Sequence, residues 1–201
     1  MPCVERRRPL ASARVAGWAR LVLAGLVGCL LPACGGSPTD SGISGGLPGG
    51  DHPSFEDLFG PALVSADGSQ VGLRAVQDKA LVGIYFADPS CPACAAFTPL
   101  LVSTYDELMT AGKSFEIVLV SVGGGSADMF AFMQRYGMGW PAVPYDPSRL
   151  LALLQRFGVQ WVPTLVVIDS DRDVVTKTGR EDVLAAGAGA FDVWLATRPA
   201  P

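Results

Sequence analysis

The sequence predicts an α/β fold: a central mixed β-sheet flanked by helices on both faces. Two observations carry this. First, residues 80–87 (ALVGIYFA) and 115–122 (FEIVLVSV) are short, nearly continuous apolar runs, the pattern of strands buried on both faces. Second, a helical stretch separates them, while a tight turn at Asp171-Arg172-Asp173 closes the later strands 164–169 and 174–178 into a hairpin.

The elements follow in order. Ser54 is placed to cap a short helix through Phe59. Residues 61–65 and 70–72 read as short strands around the Ala66-Asp67-Gly68 turn. After the strand at 80–87, Pro92 opens a helix to about Ala111, at a position where its missing N–H costs nothing. Gly123 to Gly125 form a loop, and Ser126 is read as the cap of a helix over 127–136. A further helix, 148–157, ends at Gly158, and a last one, 180–196, is weakened by Gly187 and Gly189. No internal repeat is visible.

Residues 1–34 lie outside this pattern. Arg6, Arg7, Arg8, Arg14 and Arg20 form a positive stretch, and 21–31 is an uncharged apolar run. That run is shorter than the ~20 residues of a spanning helix. It ends in Leu31-Pro32-Ala33-Cys34 and resembles a bacterial lipoprotein signal, which leaves Cys34 lipidated. Cys29, after Leu26-Val27-Gly28, is the alternative lipid site, and an ordinary secretory signal or an uncleaved anchor are the others. Each exports the chain; the lipoprotein reading places it on the periplasmic face of a bacterial membrane. Residues 35–53, rich in Gly, Ser and Pro, read as a flexible tether to a globular domain over 54–198.

Without residues 1–34 the chain keeps 10 Lys+Arg against 18 Asp+Glu, a net charge of −8. Phosphate backbones repel such a domain, which argues against nucleic acid as a partner. Cysteine use is equally restrictive. With Cys3 and Cys29 removed and Cys34 lipidated, Cys91 and Cys94 are the free thiols that remain. A domain stapled by disulfides carries more, and more widely spaced, cysteines. A zinc site needs about four ligands; two Cys and His52, itself in the tether, speak against metal. No cofactor is expected.

Cys91-Pro92-Ala93-Cys94 therefore reads as a redox pair at a strand–helix junction. A helix N-terminus stabilises a thiolate, the attacking species. Cys91 is expected to attack a substrate disulfide and Cys94, one turn on, to resolve the mixed disulfide. Pro99 would kink this helix. Val162-Pro163-Thr164 enters the third apolar strand, where a cis proline would present the Val162 backbone to substrate.

The chain resembles the thioredoxin superfamily, and within it the tryparedoxin and nucleoredoxin group. The resemblance is carried by Leu58-Phe59-Gly60, Gly83-Ile84-Tyr85-Phe86, the Cys-Pro-Ala-Cys motif and Phe97-Thr98-Pro99-Leu100. Phe115-Glu116-Ile117-Val118, the stretch 140–144 with Tyr145-Asp146, and Phe157-Gly158-Val159 leading to Pro163-Thr164-Leu165 extend it over about 55–183. It implies a thioredoxin-like fold, Cys91 as nucleophile, Cys94 as resolving residue, a cis Pro163, and a groove of Ser90, Pro92, Val162 and Pro163. Partners implied are disulfide-bearing or dithiol proteins and an upstream electron donor, with reduction the expected direction. Departures stand at Ser90, where the family usually has Trp, and at Ala93 and Ala95, where Pro and Arg are frequent. Tyr85 stands where thioredoxins proper carry a buried Asp. Trp140 and Trp161 are candidates for the groove border or for the core. A thiol peroxidase, which needs Thr and Arg around its cysteine, and a non-catalytic binding lipoprotein of the same fold are the competing readings.

Overall fold

The structure, a computed structural model, describes residues 52–198. The signal segment 1–34, both candidate lipid sites Cys29 and Cys34, and the tether up to residue 51 lie outside the described residues.

Leu81–Ala87 (β3) and Phe115–Ser121 (β4) are buried at all seven positions each, which is why they read as nearly continuous apolar runs. Sheets buried on both faces need helices on both. β3 pairs in parallel with β4 (Leu81 opposite Phe115) and antiparallel with β5, Thr164–Asp169 (Phe86 opposite Thr164). β6, Val174–Thr176, pairs antiparallel with β5, so the order is β4-β3-β5-β6. A hairpin of Leu63–Val64 (β1) and Gln70–Val71 (β2) joins the same sheet through Ala142. Ala142 exchanges hydrogen bonds with Val64 (2.9 and 2.7 Å), while Leu119 pairs with Pro141 and Val143 (2.9 Å each). The β4 edge is thereby paired at Leu119, which satisfies its otherwise open backbone groups.

The helices are Phe55–Phe59 (α1), Arg74–Gln77 (α2), Pro92–Thr110 (α3), Ser126–Tyr136 (α4), Pro147–Phe157 (α5), Gly179–Ala186 (α6) and Ala190–Ala196 (α7). Ser54 caps α1 reciprocally with Asp57. Asp146 caps α5 by accepting from the N–H groups of Ser148 and Arg149, so that helix starts one residue before the sequence expectation. Two expectations are corrected, and one helix was not foreseen. Ser126 is the first residue of α4, not its cap: Gly125 occupies the cap with φ 109°, which glycine tolerates, and no side chain caps the helix. The single helix over 180–196 is α6, a 3-10 turn at Gly187–Gly189, and α7. Gly187 at φ 54° breaks it, and Trp194 then docks on Phe115 and donates to Asp182 at 2.9 Å. α2, four residues long without a side-chain cap, gave no sequence signal. Among the described residues no helix is long and apolar enough to cross a membrane.

Candidate active site

The site forms where β3 runs out. Because Phe86 is opposite Thr164, the residues after Ala87 must meet those that precede Thr164. Cys91 and Val162 are brought together this way, with Cys91 Sγ 4.0 Å from the Val162 carbonyl oxygen. The Val162–Pro163 peptide is cis. Val162 and Pro163 are buried, whereas Ser90 and Pro92 are exposed.

Cys91 is the N-cap of α3, with extended backbone (φ −80°, ψ 120°) and Pro92 as the first helical residue. Its N–H is donated to the Asp88 carbonyl at 3.0 Å, and only 5% of its surface is exposed. Helix N-termini place unpaired N–H groups and positive potential at this position. Cys94 differs. It is a free thiol with no exposed surface. Burial pushes its thiol up to about 11. The Asp88 N–H, donated to Cys94 Sγ at 3.4 Å, opposes that rise. The Asp88 charge adds to it, and the Arg180 guanidinium counters it.

Below Cys94, Thr98 Oγ1 donates to the Cys94 carbonyl at 2.7 Å and lies 2.9 Å from the Tyr85 hydroxyl. With the Thr98 proton committed to that carbonyl, Tyr85 is the donor between the two hydroxyls. Tyr85 is fully buried, and burial holds its phenol well above the ordinary range. It is therefore a neutral group near Cys94 at any physiological pH. Pro99 lies inside α3 and offers no N–H to the Ala95 carbonyl. Arg180, at the start of α6, sits over the Phe97 ring, 5.8 Å from its centroid, with a buried Nε that has no partner among the described residues.

Trp140 is not part of this site. It is 1% exposed and packs edge-on against Tyr105 at 5.2 Å, in the core. Trp161 is half-buried and adjoins Val162. Asp88, Thr98 and Arg180 belong to the surroundings of Cys94 and were not singled out as site residues from the sequence. Thr98 stands within the Phe97-Thr98-Pro99-Leu100 stretch that carries the family resemblance, and Asp88-Pro89-Ser90 has turn-forming composition; nothing local marks Arg180. Among the described residues, no group of three or more His, Cys, Asp or Glu is placed to hold a metal.

A mixed sheet with a Cys-x-x-Cys motif capping its first long helix and a cis proline against it defines a thioredoxin-fold protein. Solved structures agree. A thioredoxin from Wuchereria bancrofti superposes with a TM-score of 0.59 at 35% identity, covering 69% of this chain and 96% of that one. A tryparedoxin from Trypanosoma brucei gives 0.60 at 32% identity, covering 67% and 91%. The Thioredoxin-like family model matches residues 79–174. Nucleoredoxin of Bos taurus is 37% identical over 140 residues, 69% of this chain. The match spans 31% of that nucleoredoxin's length. The chain belongs to the thioredoxin-like family, with nucleoredoxin and tryparedoxin homologues.

Proposed function

We propose that this protein is a thiol–disulfide oxidoreductase of the cell envelope, working as a reductase through Cys91 and Cys94. The observation that carries this is the unequal setting of two sulfurs one helical turn apart: Cys91 at the α3 N-cap beside Val162, Cys94 sealed beneath it. The Cys91 thiolate attacks one sulfur of a substrate disulfide; that S–S bond breaks, a mixed disulfide forms, and one substrate thiolate leaves. Cys94 then loses its proton and attacks Cys91 Sγ, releasing the second substrate thiol. The protein is oxidised by two electrons, the substrate is reduced by two, and an upstream dithiol restores the pair. Ser90, Pro92, Val162 and Pro163 form the groove in this reading, where an extended substrate segment would lie against the cis-proline strand entry.

The location rests on the N-terminal pattern: basic stretch, apolar run, and a small residue before Cys34, with Cys29 as the alternative. The lipid holds the domain at the periplasmic face, and 35–53 is the tether.

Trapping tests the chemistry. A Cys94→Ser chain accumulates mixed disulfides with its substrates, and a Cys91→Ser chain captures none and loses insulin reduction; insulin reduction by Cys91→Ser overturns the mechanism. Equilibration against glutathione tests direction, since a potential near the strong oxidants at about −120 mV refutes the reductase reading. Labelling with radioactive palmitate tests the anchor: label must reach the chain and be lost in Cys34→Ser, or in Cys29→Ser if that is the site.

A further inference from the structure

Asp88, one residue beyond β3, touches both cysteines through its backbone. Its carbonyl accepts the Cys91 N–H at 3.0 Å, and its own N–H is donated to Cys94 Sγ at 3.4 Å. The side chain fixes that arrangement. Asp88 Oδ1 accepts from the Ser90 N–H at 2.8 Å and from the Ser90 hydroxyl at 2.7 Å, closing a small ring over residues 88–90. On the other side, Oδ2 is pressed against Gly123, where a Cβ would come within 2.7 Å of it. The carboxylate is thus gripped between its own turn and the loop after β4.

We propose that Asp88 is a positioning residue for the resolving step: its clamp on Ser90 aims the Asp88 amide at Cys94 Sγ and speeds closure of the Cys91–Cys94 disulfide. This rests on the exchange reading above. As Cys94 attacks, its sulfur loses a proton inside a site with no exposed surface, so a donor must meet the developing charge. The Asp88 amide is that donor. The groups bearing on Cys94 are otherwise few. The Asp88 carboxylate repels the charge, Arg180 attracts it, and Tyr85 on β3 stays neutral. Amide and carboxylate of one residue therefore act in opposite directions, and substitution separates them. Asp88→Asn keeps an acceptor for both Ser90 donors and removes the charge. Asp88→Ala removes the clamp as well.

The test is two-phase reaction with the aryl disulfide dithiobis(nitrobenzoate), in the full chain with Cys3, Cys29 and Cys34 replaced by Ser. In the first phase Cys91 attacks, a Cys91–aryl disulfide forms and one coloured thiolate leaves. In the second, Cys94 attacks Cys91 Sγ, the internal disulfide forms and a second coloured thiolate leaves, at a rate independent of reagent concentration. Asp88→Ala is expected to slow the second phase about tenfold, the scale of one lost hydrogen bond to a charged group, and to raise its pH midpoint, while the first phase is retained. Asp88→Asn is expected to resolve at least as fast as the native chain. The proposal is overturned if Asp88→Ala resolves at the native rate or faster, or if Asp88→Asn is as slow as Asp88→Ala. Absence of the second phase in the native chain would instead refute the exchange reading itself.

Discussion

Burial of Cys94 makes the stability of the reduced chain depend on alkaline pH, and the size of the effect follows from its environment. The thiol is pushed from 9.0 to about 11, chiefly by desolvation. A raised folded-state value means that the unfolded chain gives up this proton first. The contribution is therefore complete below about pH 8 and is lost as pH rises through about 11. Near pH 10 the unfolded thiol is about nine-tenths ionised and the folded one about one-tenth, a tenfold ratio worth ~1.4 kcal/mol. Tyr85 and Tyr105, both raised mainly by burial, lose stability over an overlapping range. The measurement is therefore a difference: urea unfolding of native and Cys94→Ser chains under a phosphine reductant, at about pH 8 and about pH 10. The native chain should lose about 1.4 kcal/mol more than the variant between the two. If the gap between them stays constant or moves the other way, Cys94 is not desolvated as described.

Three further substitutions probe the surroundings. Thr98→Val leaves the buried Tyr85 hydroxyl without its acceptor and should cost about 1–3 kcal/mol, more than the ~1 kcal/mol expected of Tyr85→Phe, which removes the needy group itself; urea midpoints that rank them oppositely refute the network. Gly179→Ala places a Cβ within 2.8 Å of the Leu165 carbonyl oxygen, a backbone atom that cannot swing away. Overpacking of about 1–3 kcal/mol should outweigh alanine's helix preference and lower the thermal midpoint. Glu116, raised chiefly by burial, accepts from the Tyr105 hydroxyl at 2.8 Å. Its stabilising contribution is present in acid and lost as pH rises through its raised value, so Glu116→Gln should gain on the native chain between about pH 4 and pH 7 in denaturation curves.

The parts of this fold legible in the sequence are those whose burial is uniform. β3, β4 and β5 have almost every residue in the core, so their apolar runs stand out without knowledge of their neighbours. The pairing at Ala142 left no such trace, because a single residue between Pro141 and Val143 bridges two strands and its partners are set by tertiary contact. The end of the chain misled for a related reason. Gly187 and Gly189 weaken the helical pattern over 180–196 without showing that it breaks, and the docking of Phe191 and Trp194 on Phe115 shows why the axis turns at Gly187. At the site, the motif spacing announced Cys91 and Cys94, since spacing along a helix is local information. Asp88 reaches Cys94 from the turn after β3, Thr98 meets Tyr85 of β3, and Arg180 of α6 lies over Phe97 of α3, contacts that the motif spacing does not carry.

The same distances explain why two thiols in one helix need not compete. With its thiol near 11, Cys94 is ionised in about one molecule in ten thousand at neutral pH. No substrate reaches it, because none of its surface is exposed. On the proposed mechanism Cys91, at the helix cap and between Ser90 and Pro92, both exposed, is the sulfur that meets the substrate disulfide. Once a mixed disulfide stands on Cys91, the second reaction becomes intramolecular, and proximity compensates for a scarce thiolate: an effective molarity reaching about 10⁵ M outweighs a ten-thousandfold deficit against any external thiol below about 1 M. The Asp88 amide then acts on a step already favoured by proximity, which is why its loss should slow resolution without abolishing it. On the proposed mechanism, the order of attack follows from which sulfur the fold buries.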